Sequence, residues 1–299
     1  MSFLSPALKV INLSTKLFTY IELFKMKQTF LLVFTGILGY FISSKLNINP
    51  QTLLIYITAI TLAVSGTTGL NMYYDKDIDT LMFRTKNRPL PSKKISPKEA
   101  YIVSLLFTTI GIGLGFYINL WCGIAITLGF IFDILVYTIA LKRKTPLNIV
   151  FGSIAGAMPT LSGYVAHKGF INIQAILLSS IVMIWSTIHI WLISTYYIND
   201  YRKARIPMLP VVVGERKTIY TSLLSLILIN IILITLYLIN FTKLLSTTFS
   251  FLFTIRISTL LKKYLSTKDK NYVRKAYKIL SPYIGTILIL IFLERTFLP

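Results

Sequence analysis

A row of one amide and two carboxylates is the most chemically suggestive feature of the sequence. Asn71, Asp75 and Asp79 follow one another at intervals of four residues. On an α-helix this spacing puts the three side chains on one face, whereas Asp77 points elsewhere. Their oxygens are hard ligands of the kind that Mg²⁺ prefers when it also binds substrate phosphate oxygens. We therefore predict a Mg²⁺ site with Asp75 and Asp79 as ligands.

Basic residues crowd directly after this row, at Arg84, Lys86, Arg88, Lys93 and Lys94. Guanidinium and ammonium groups bind phosphate oxygens. An acidic row beside such a cluster, between two apolar runs, predicts a site for a Mg²⁺-bound diphosphate, with Arg84 and Arg88 as candidate catalytic groups. The alternative is a solvated, charged loop between two membrane helices, which the regular spacing and the Arg-Pro-Leu-Pro block disfavour.

A second row of aromatic and polar residues lies at Trp185, His189, Tyr196 and Asp200. Spacings of four, seven and four place them on one helix face. Asp200 ends this helix at the membrane surface where the first row lies, so it is a candidate third Mg²⁺ ligand. His189 lies roughly 16 Å along the helix from Asp200. We predict that His189, Trp185 and Tyr196 contact a bulky substrate; the alternative for His189 is a packing role.

The elements that position these residues are predicted from composition. Hydrophobic residues make up 55% of the 299 residues and charged residues 14%, with a mean hydropathy of +0.70. These values are typical of an all-α polytopic membrane protein. Nine spans of about 20 residues are predicted near 26–44, 51–70, 100–118, 120–140, 148–166, 173–198, 217–240, 243–261 and 276–297.

The basic residues predict the orientation. One side of the predicted spans carries only Lys45, Lys168, Lys243 and Arg295, and nearly all of the other Lys and Arg residues, of 31 in total, lie on the opposite side. The positive-inside rule then places the N-terminus and the loops 71–98, 141–147, 199–216 and 262–275 inside. Residues 1–25 are predicted to be a basic N-terminal segment, and residues 26–299 a single transmembrane domain. The formal net charge of +21 does not predict nucleic-acid binding, because the basic residues lie in short loops.

Four stretches resemble the motifs of the intramembrane (UbiA-type) prenyltransferases. Asn71, Asp75 and Asp79 match NxxxDxxxD, the first motif of that family. The blocks RTxNRPLP at 84–91, YTxxLKRxTPxNI at 137–149 and DYxxAxIPMLPVVxG at 200–214 resemble the branch that farnesylates heme. These motifs are long and in register over more than half of the chain, which argues against accidental agreement.

The resemblance implies a nine-helix bundle around a central cavity, in which farnesyl diphosphate binds with its head at the two aspartate motifs. Mg²⁺ would make the diphosphate a better leaving group, and Arg84, Arg88, Lys142 and Arg143 would stabilise its charge. A vinyl group of heme B would attack the allylic cation, and water would complete heme O. From its residue type alone, Tyr137 is a candidate to stabilise that cation.

The resemblance also implies partners and a location. Mg²⁺ is the expected cofactor, and farnesyl diphosphate and heme B are the expected substrates. The lipid bilayer surrounds the protein, and heme-copper oxidase assembly factors are candidate partners. The expected location is a prokaryotic cell membrane, or the mitochondrial inner membrane in a eukaryote, with the active-site loops on the inner face.

Three positions depart from the family pattern. Ile188 stands where the family usually has Pro, Arg205 where it usually has Gly, and Asp133 where it often carries an aromatic residue. None of these removes a predicted Mg²⁺ ligand, so they bear on substrate geometry. Asp133 lies mid-span, where a charge is costly unless it is paired or faces a cavity. Arg256, also mid-span, is its candidate partner.

Two other functions stay open. A related prenyltransferase would attach its chain to an aromatic acid or a glycerol phosphate, which the Ile-Pro-Met-Leu-Pro block disfavours. A non-catalytic transporter or heme-handling protein would have no use for stacked Mg²⁺ ligands beside an arginine cluster. The sequence also lacks GxxxxGK[ST], which argues against a P-loop transporter.

Overall fold

Nine helices long and apolar enough to cross a membrane dominate the computed structural model, which describes residues 16–298. They are α1 (Met26–Ser44), α2 (Pro50–Tyr74), α3 (Pro97–Ile118), α4 (Leu120–Leu141), α5 (Asn148–Lys168), α6 (Ile173–Tyr196), α7 (Glu215–Leu238), α8 (Leu244–Thr267) and α9 (Lys270–Phe297). No strand occurs in this range. The nine predicted spans and the all-α fold are confirmed, whereas residues 1–15 of the predicted N-terminal segment lie outside the described residues.

Short polar side chains begin several of these helices. Asn49, Ser96, Asn119 and Asn172 each accept a hydrogen bond from a backbone N–H in the first turn of α2, α3, α4 and α6. Such caps satisfy donors that have no partner inside the helix. Asn49, Asn119 and Asn172 stand in short connections, so the helices that these connections join run in opposite directions through the bundle.

Apolar residues cover both the buried and the exposed faces of the helices. On α7, Leu226, Ile229 and Leu233 are buried against the bundle, whereas Leu224 and Ile231 are exposed. A helix that is hydrophobic on all sides is typical of a membrane span, because its outer face meets lipid rather than water. The exposed apolar faces and the nine spans identify an integral, multi-pass membrane protein.

Glycines allow a close backbone contact between α1 and α5. A Cβ atom on Gly163 would overlap the carbonyl oxygen of Gly36, so the two backbones meet where neither residue has a side chain. Tyr56 of α2 donates its hydroxyl to the carbonyl oxygen of Pro159, at 2.8 Å, in the same region. The first two helices are thereby held against α5, which is distant from both in the sequence.

The connections at one end of the bundle contain short helices of their own. Lys76–Leu81 follows α2, and Ile198–Lys203 and Leu209–Val212 follow α6. Residues 142–147 join α4 to α5 at the same end. The described part of the N-terminal segment packs here too, since Leu23 and Phe24 are buried in one cluster with the loop that precedes α3. This end therefore carries a cap of packed loops.

Candidate active site

A cavity of about 300 Å³ lies inside the bundle beneath these loops. Its deeper wall is apolar and includes Leu32, Ile60, Val64, Ile126, Phe130 and Met158. Its polar end contains seven of the twelve predicted site residues: Asn71, Asp75, Asp79, Arg84, Arg88, Tyr137 and Lys142. The structure thus brings the acidic row, the following arginines and the residues that end α4 to one place.

The acidic row keeps its helical spacing through a break in the helix. α2 ends at Tyr74, yet the backbone N–H of Asp75 still bonds the carbonyl of Asn71 at 3.0 Å, and that of Asp79 bonds the carbonyl of Asp75 at 2.8 Å. The side chains of Asp75 and Asp79 are 3% and 4% exposed, whereas that of Asp77 is 61% exposed. The predicted common face, with Asp77 pointing away from it, is confirmed.

Each buried carboxylate of the row is paired with one cation. Lys142 binds Asp75 through its ammonium group, and Arg88 donates from Nη1 to both oxygens of Asp79 at 2.8 Å. Burial acts to lower the pKa of Lys142, but the neighbouring Tyr137 and the Asp75 carboxylate outweigh it and raise that pKa. The pairing offsets the cost of removing these charges from water.

Lys25 completes the polar end of the cavity and was not among the predicted site residues. Its ammonium group donates to Oδ1 of Asn71 at 2.9 Å, and the amide nitrogen of Asn71 donates to the Thr138 hydroxyl at 2.9 Å. Burial, followed by the nearby Arg88, lowers the pKa of Lys25 to about 8. The only sequence signal was its position directly before the first apolar run.

Arg84 connects the first loop to the residues that follow α6. Its guanidinium donates to the Tyr201 hydroxyl at 3.4 Å and lies 5.5 Å from the centre of the Tyr197 ring. Tyr201, Ile206 and Met208 line the cavity. The block at 200–214 therefore reaches the site through an aromatic hydroxyl and apolar side chains, and Tyr201 is a second cavity residue that was not among the predicted site residues.

The second predicted row faces a neighbouring helix. The Trp185 indole stacks on His189 at 5.3 Å and donates to the carbonyl oxygen of Leu280 at 2.7 Å. The rings of His189 and Tyr196 lie 6.4 and 5.8 Å from that of Tyr277 on α9. The α6 residues that line the cavity are instead Ser186 and Ile190. Nδ1 of His189 is buried without a hydrogen-bond partner among residues 16–298.

Asp200 and Arg143 also lie away from the cavity. α6 ends at Tyr196 and a new short helix begins at Ile198, so Asp200 does not continue the face of α6. No group of three His, Cys, Asp or Glu side chains is close enough to hold a metal within residues 16–298, so Asp200 does not join Asp75 and Asp79. Arg143 pairs with the exposed Asp77 at 2.8 Å.

Asp133 faces the cavity and is not paired with Arg256. It belongs to the second half of α4, Ile131–Leu141, which is wound as a π-helix. The hydroxyl of Thr138 donates to its carbonyl oxygen at 2.6 Å. Arg256 is exposed on α8, and the ion pairs among the described residues do not include it. The predicted pair is wrong, because Asp133 faces the cavity that Lys25 and Lys142 also line, whereas Arg256 is exposed on another helix.

Comparison with known proteins decides the family. The model of the UbiA prenyltransferase family matches residues 32–281. The chain belongs to this family. It is 41% identical to a protoheme IX farnesyltransferase of Korarchaeum cryptofilum, covering 94% of this chain and 95% of that protein. It is 38% identical to a protein of the same name from Thermofilum pendens, covering 91% and 97%.

Solved structures agree with this membership at the level of the fold. A structure of digeranylgeranylglyceryl phosphate synthase has a TM-score of 0.78 at 22% identity and covers 94% of this chain and 99% of that one. A UbiA homologue from Archaeoglobus fulgidus, bound to GPP and Mg²⁺, has a TM-score of 0.70 at 14% identity and covers 91% and 99%.

The charges around the cavity of this UbiA-family prenyltransferase suit a metal diphosphate. Four cations line it, Lys25, Arg84, Arg88 and Lys142, together with the carboxylates of Asp75, Asp79 and Asp133. Asp75 and Asp79 supply the hard oxygens that Mg²⁺ takes in proteins, and the cations supply donors for phosphate oxygens. The donor set therefore fits a Mg²⁺ ion held by Asp75 and Asp79.

Only part of the bundle contributes to this cavity. Its described lining residues belong to the N-terminal part of α1 and Lys25 before it, to α2, α4, α5 and α6, and to the loops between these helices. The last of them in the chain is Met208. α7, α8 and α9 contribute none. The helices that follow Gly214 support the site from outside, through the contacts of α7 and α9 with α6 and of α9 with α1.

Proposed function

We propose that this UbiA-family protein transfers a farnesyl group from farnesyl diphosphate to a vinyl group of heme B, with addition of water, giving heme O and diphosphate. The observation that carries this proposal is the cavity, in which buried carboxylates and four cations meet an apolar wall. The names of the Korarchaeum and Thermofilum relatives support the choice of substrates.

The diphosphate binds at the polar end in this proposal. Asp75 and Asp79 would hold a Mg²⁺ ion, which when bound would neutralise the diphosphate and make it a better leaving group. Lys25, Arg88 and Lys142 already point into the cavity, so they can exchange their present protein partners for phosphate oxygens. Arg84 adds a further donor while Tyr201 orients its guanidinium group.

The prenyl chain lies along the apolar wall. Departure of the diphosphate leaves an allylic cation, which the enclosed cavity protects from premature attack by water. Tyr137 stabilises this cation through its ring, which already lies 5.3 Å from the ammonium nitrogen of Lys142. About 300 Å³ is at the small end for ligand cavities, so we propose that heme presents only its vinyl edge to the bound chain.

The deciding experiment is turnover with defined acceptors. Purified protein is incubated in lipid nanodiscs with farnesyl diphosphate, Mg²⁺ and either heme B or 4-hydroxybenzoate, and the products are identified by mass spectrometry. We expect heme O only with heme B. A prenylated aromatic acid instead would identify another acceptor class, and the absence of Mg²⁺-dependent diphosphate release with any acceptor would contradict catalysis.

The location and orientation belong to the same proposal. The relatives come from archaea and bacteria, which supports a prokaryotic cell membrane, and the distribution of basic residues supports an inner position for the aspartates. A reporter fused after Lys94 should report an inside location, and one after Lys168 an outside location. Association with oxidase assembly factors stays a prediction, to be tested by copurification.

A further inference from the structure

A second pocket, of about 270 Å³, lies at the end of the bundle opposite to the aspartates. The C-terminal ends of α5, α7 and α9 and the N-terminal end of α6 surround it. Its polar residues are Tyr164, Lys168, Asn172, Gln174, Asn240 and Arg295. Two of the only four basic residues that the sequence assigns to this side of the membrane therefore share one pocket.

Arg295 is held rigidly at the floor of this pocket. Its Nε donates to the carbonyl oxygen of Ile42 and its Nη1 to that of Phe241, both at 3.0 Å, and the guanidinium stacks on the Phe241 ring at 3.8 Å. These contacts leave Nη2 available for a ligand, since no hydrogen bond from Nη2 occurs within residues 16–298. A fixed, planar guanidinium is suited to bind phosphate oxygens.

The positive charge of the pocket has no protein counter-ion. Neither Lys168 nor Arg295 forms an ion pair within residues 16–298. The neighbouring carboxylate, Glu294, is fully buried and instead accepts hydrogen bonds from the backbone N–H of Lys243 and from the N–H and hydroxyl of Ser246. The negative charge of Glu294 therefore stabilises the N-terminus of α8. Within residues 16–298 the half-buried guanidinium has only backbone carbonyls and the Phe241 ring as partners, and an anionic ligand would supply the missing countercharge.

Exposed apolar residues flank the pocket on the side where lipid lies. Phe170, Ile173 and Leu238 are 48%, 56% and 71% exposed. A ligand with a phosphate and attached acyl chains would use the cations and amides for its headgroup and these residues for its chains. We propose that the pocket binds the phosphate of an anionic phospholipid in the leaflet opposite to the active site.

The test measures binding of one defined lipid to the purified full-length protein. Dioctanoyl phosphatidylglycerol is titrated in detergent and its occupancy is read by native mass spectrometry, with dioctanoyl phosphatidylcholine and glycerol 3-phosphate as the comparison ligands. Neither farnesyl diphosphate nor heme is present, so the result is independent of the proposed reaction. We expect affinity for phosphatidylglycerol to exceed that for either comparison ligand by about tenfold, because choline is repelled by the two cations and glycerol 3-phosphate has no chains.

Two matched variants assign the lipid to this pocket. Lys168→Gln removes an exposed lining cation and should lower the affinity for phosphatidylglycerol about tenfold. Lys45→Gln removes a cation at the same end of the bundle outside the lining and should change it less than about twofold. Arg295→Gln should abolish binding, with thermal unfolding as a check that the variant is folded; if it is not, Lys168→Gln decides. Equal affinity for the two lipids, equal loss in both lysine variants, or binding of glycerol 3-phosphate as tight as that of phosphatidylglycerol would overturn the proposal.

Discussion

The two rows of polar residues have similar helical spacing but different surroundings. Asn71, Asp75 and Asp79 point into the cavity, where cations pair with both carboxylates. Trp185 and His189 point from α6 towards α9, where they contact Leu280 and Tyr277. A periodic pattern thus identifies a common face, but the neighbouring helices decide whether that face meets substrate or another side chain.

The difference also shows in the polar groups of each row. In the first row both carboxylates have charged partners, which a metal diphosphate can replace with other charges. In the second row the indole nitrogen bonds a backbone carbonyl, and Nδ1 of His189 has no partner among the described residues. At the first row a bound metal diphosphate can replace the present ion pairs, whereas the second row contributes mainly the packing of aromatic rings.

The largest expected effect follows from neutralising the first row. Asp75→Asn and Asp79→Asn should each reduce heme O formation by on the order of 10³-fold, because each removes one of the two anionic ligands of the proposed metal site. The measurement is the rate of product formation at limiting and saturating Mg²⁺. Thermal unfolding should show that both variants remain folded, and full activity of either at limiting Mg²⁺ would remove the row from the metal site.

A smaller effect is expected at Asp200. If Asp200 is the third Mg²⁺ ligand that the sequence predicts, Asp200→Asn should lower activity about tenfold through weaker Mg²⁺ affinity. In the structure it lies beside the lining residue Tyr201 but not on the cavity, and from that position the substitution should have little effect. The Mg²⁺ concentration that gives half-maximal activity tests this. A loss as large as that of Asp79→Asn would place both rows at the metal, and an unchanged Mg²⁺ dependence would exclude Asp200 from it.

His189→Ala examines whether the second row contributes more than packing. If His189 contacts heme, as its sequence position predicts, the variant should lose heme affinity roughly tenfold while its affinity for a diphosphate analogue is unchanged. Heme absorbance and analogue titrations measure the two affinities. Equal loss of both indicates a folding defect, and no loss of either leaves His189 a packing residue against Tyr277.

The smallest effect is expected outside both rows. Asp77→Asn and Arg143→Gln break an ion pair in which the side chains are 61% and 49% exposed. Exposed pairs contribute less than about 1 kcal/mol to stability, so activity should change less than about twofold. Lys142→Gln, one residue away but facing the cavity, is the matched comparison and should be far less active. A large loss in Arg143→Gln would instead support the predicted contact of Arg143 with the diphosphate.

The sequence was sufficient for the nine spans and for the face shared by Asn71, Asp75 and Asp79, because both depend on local spacing. Arg84, Arg88 and Lys142, which were also among the predicted site residues, line the cavity. The sequence could not select the cavity face of α6, since successive residues point about 100° apart and that helix is apolar on all sides. Ser186 and Ile190 therefore line the cavity in place of their neighbours Trp185 and His189.

Contacts between residues that are distant in the sequence were the other feature that could not be predicted from it. Lys25 reaches an amide 46 positions away in the sequence, and no local pattern marks such a partner. Asp133 and Arg256 illustrate the opposite error, in which a predicted pair does not form. Each is a charge within an apolar span, yet one faces the cavity and the other is exposed on α8. Matching charges by sign and depth alone cannot replace knowledge of which helices are neighbours.

The restriction of the cavity to residues up to Met208 has a consequence for synthesis of the protein. The ribosome has produced every described lining side chain before it begins α7. A nascent chain that stops near Gly214 thus carries the whole catalytic surface but leaves the aromatic face of α6 open to lipid until α9 arrives. Substitutions that alter substrate choice should accordingly map to the first two thirds of the gene, whereas those in its last third should change the yield of inserted protein.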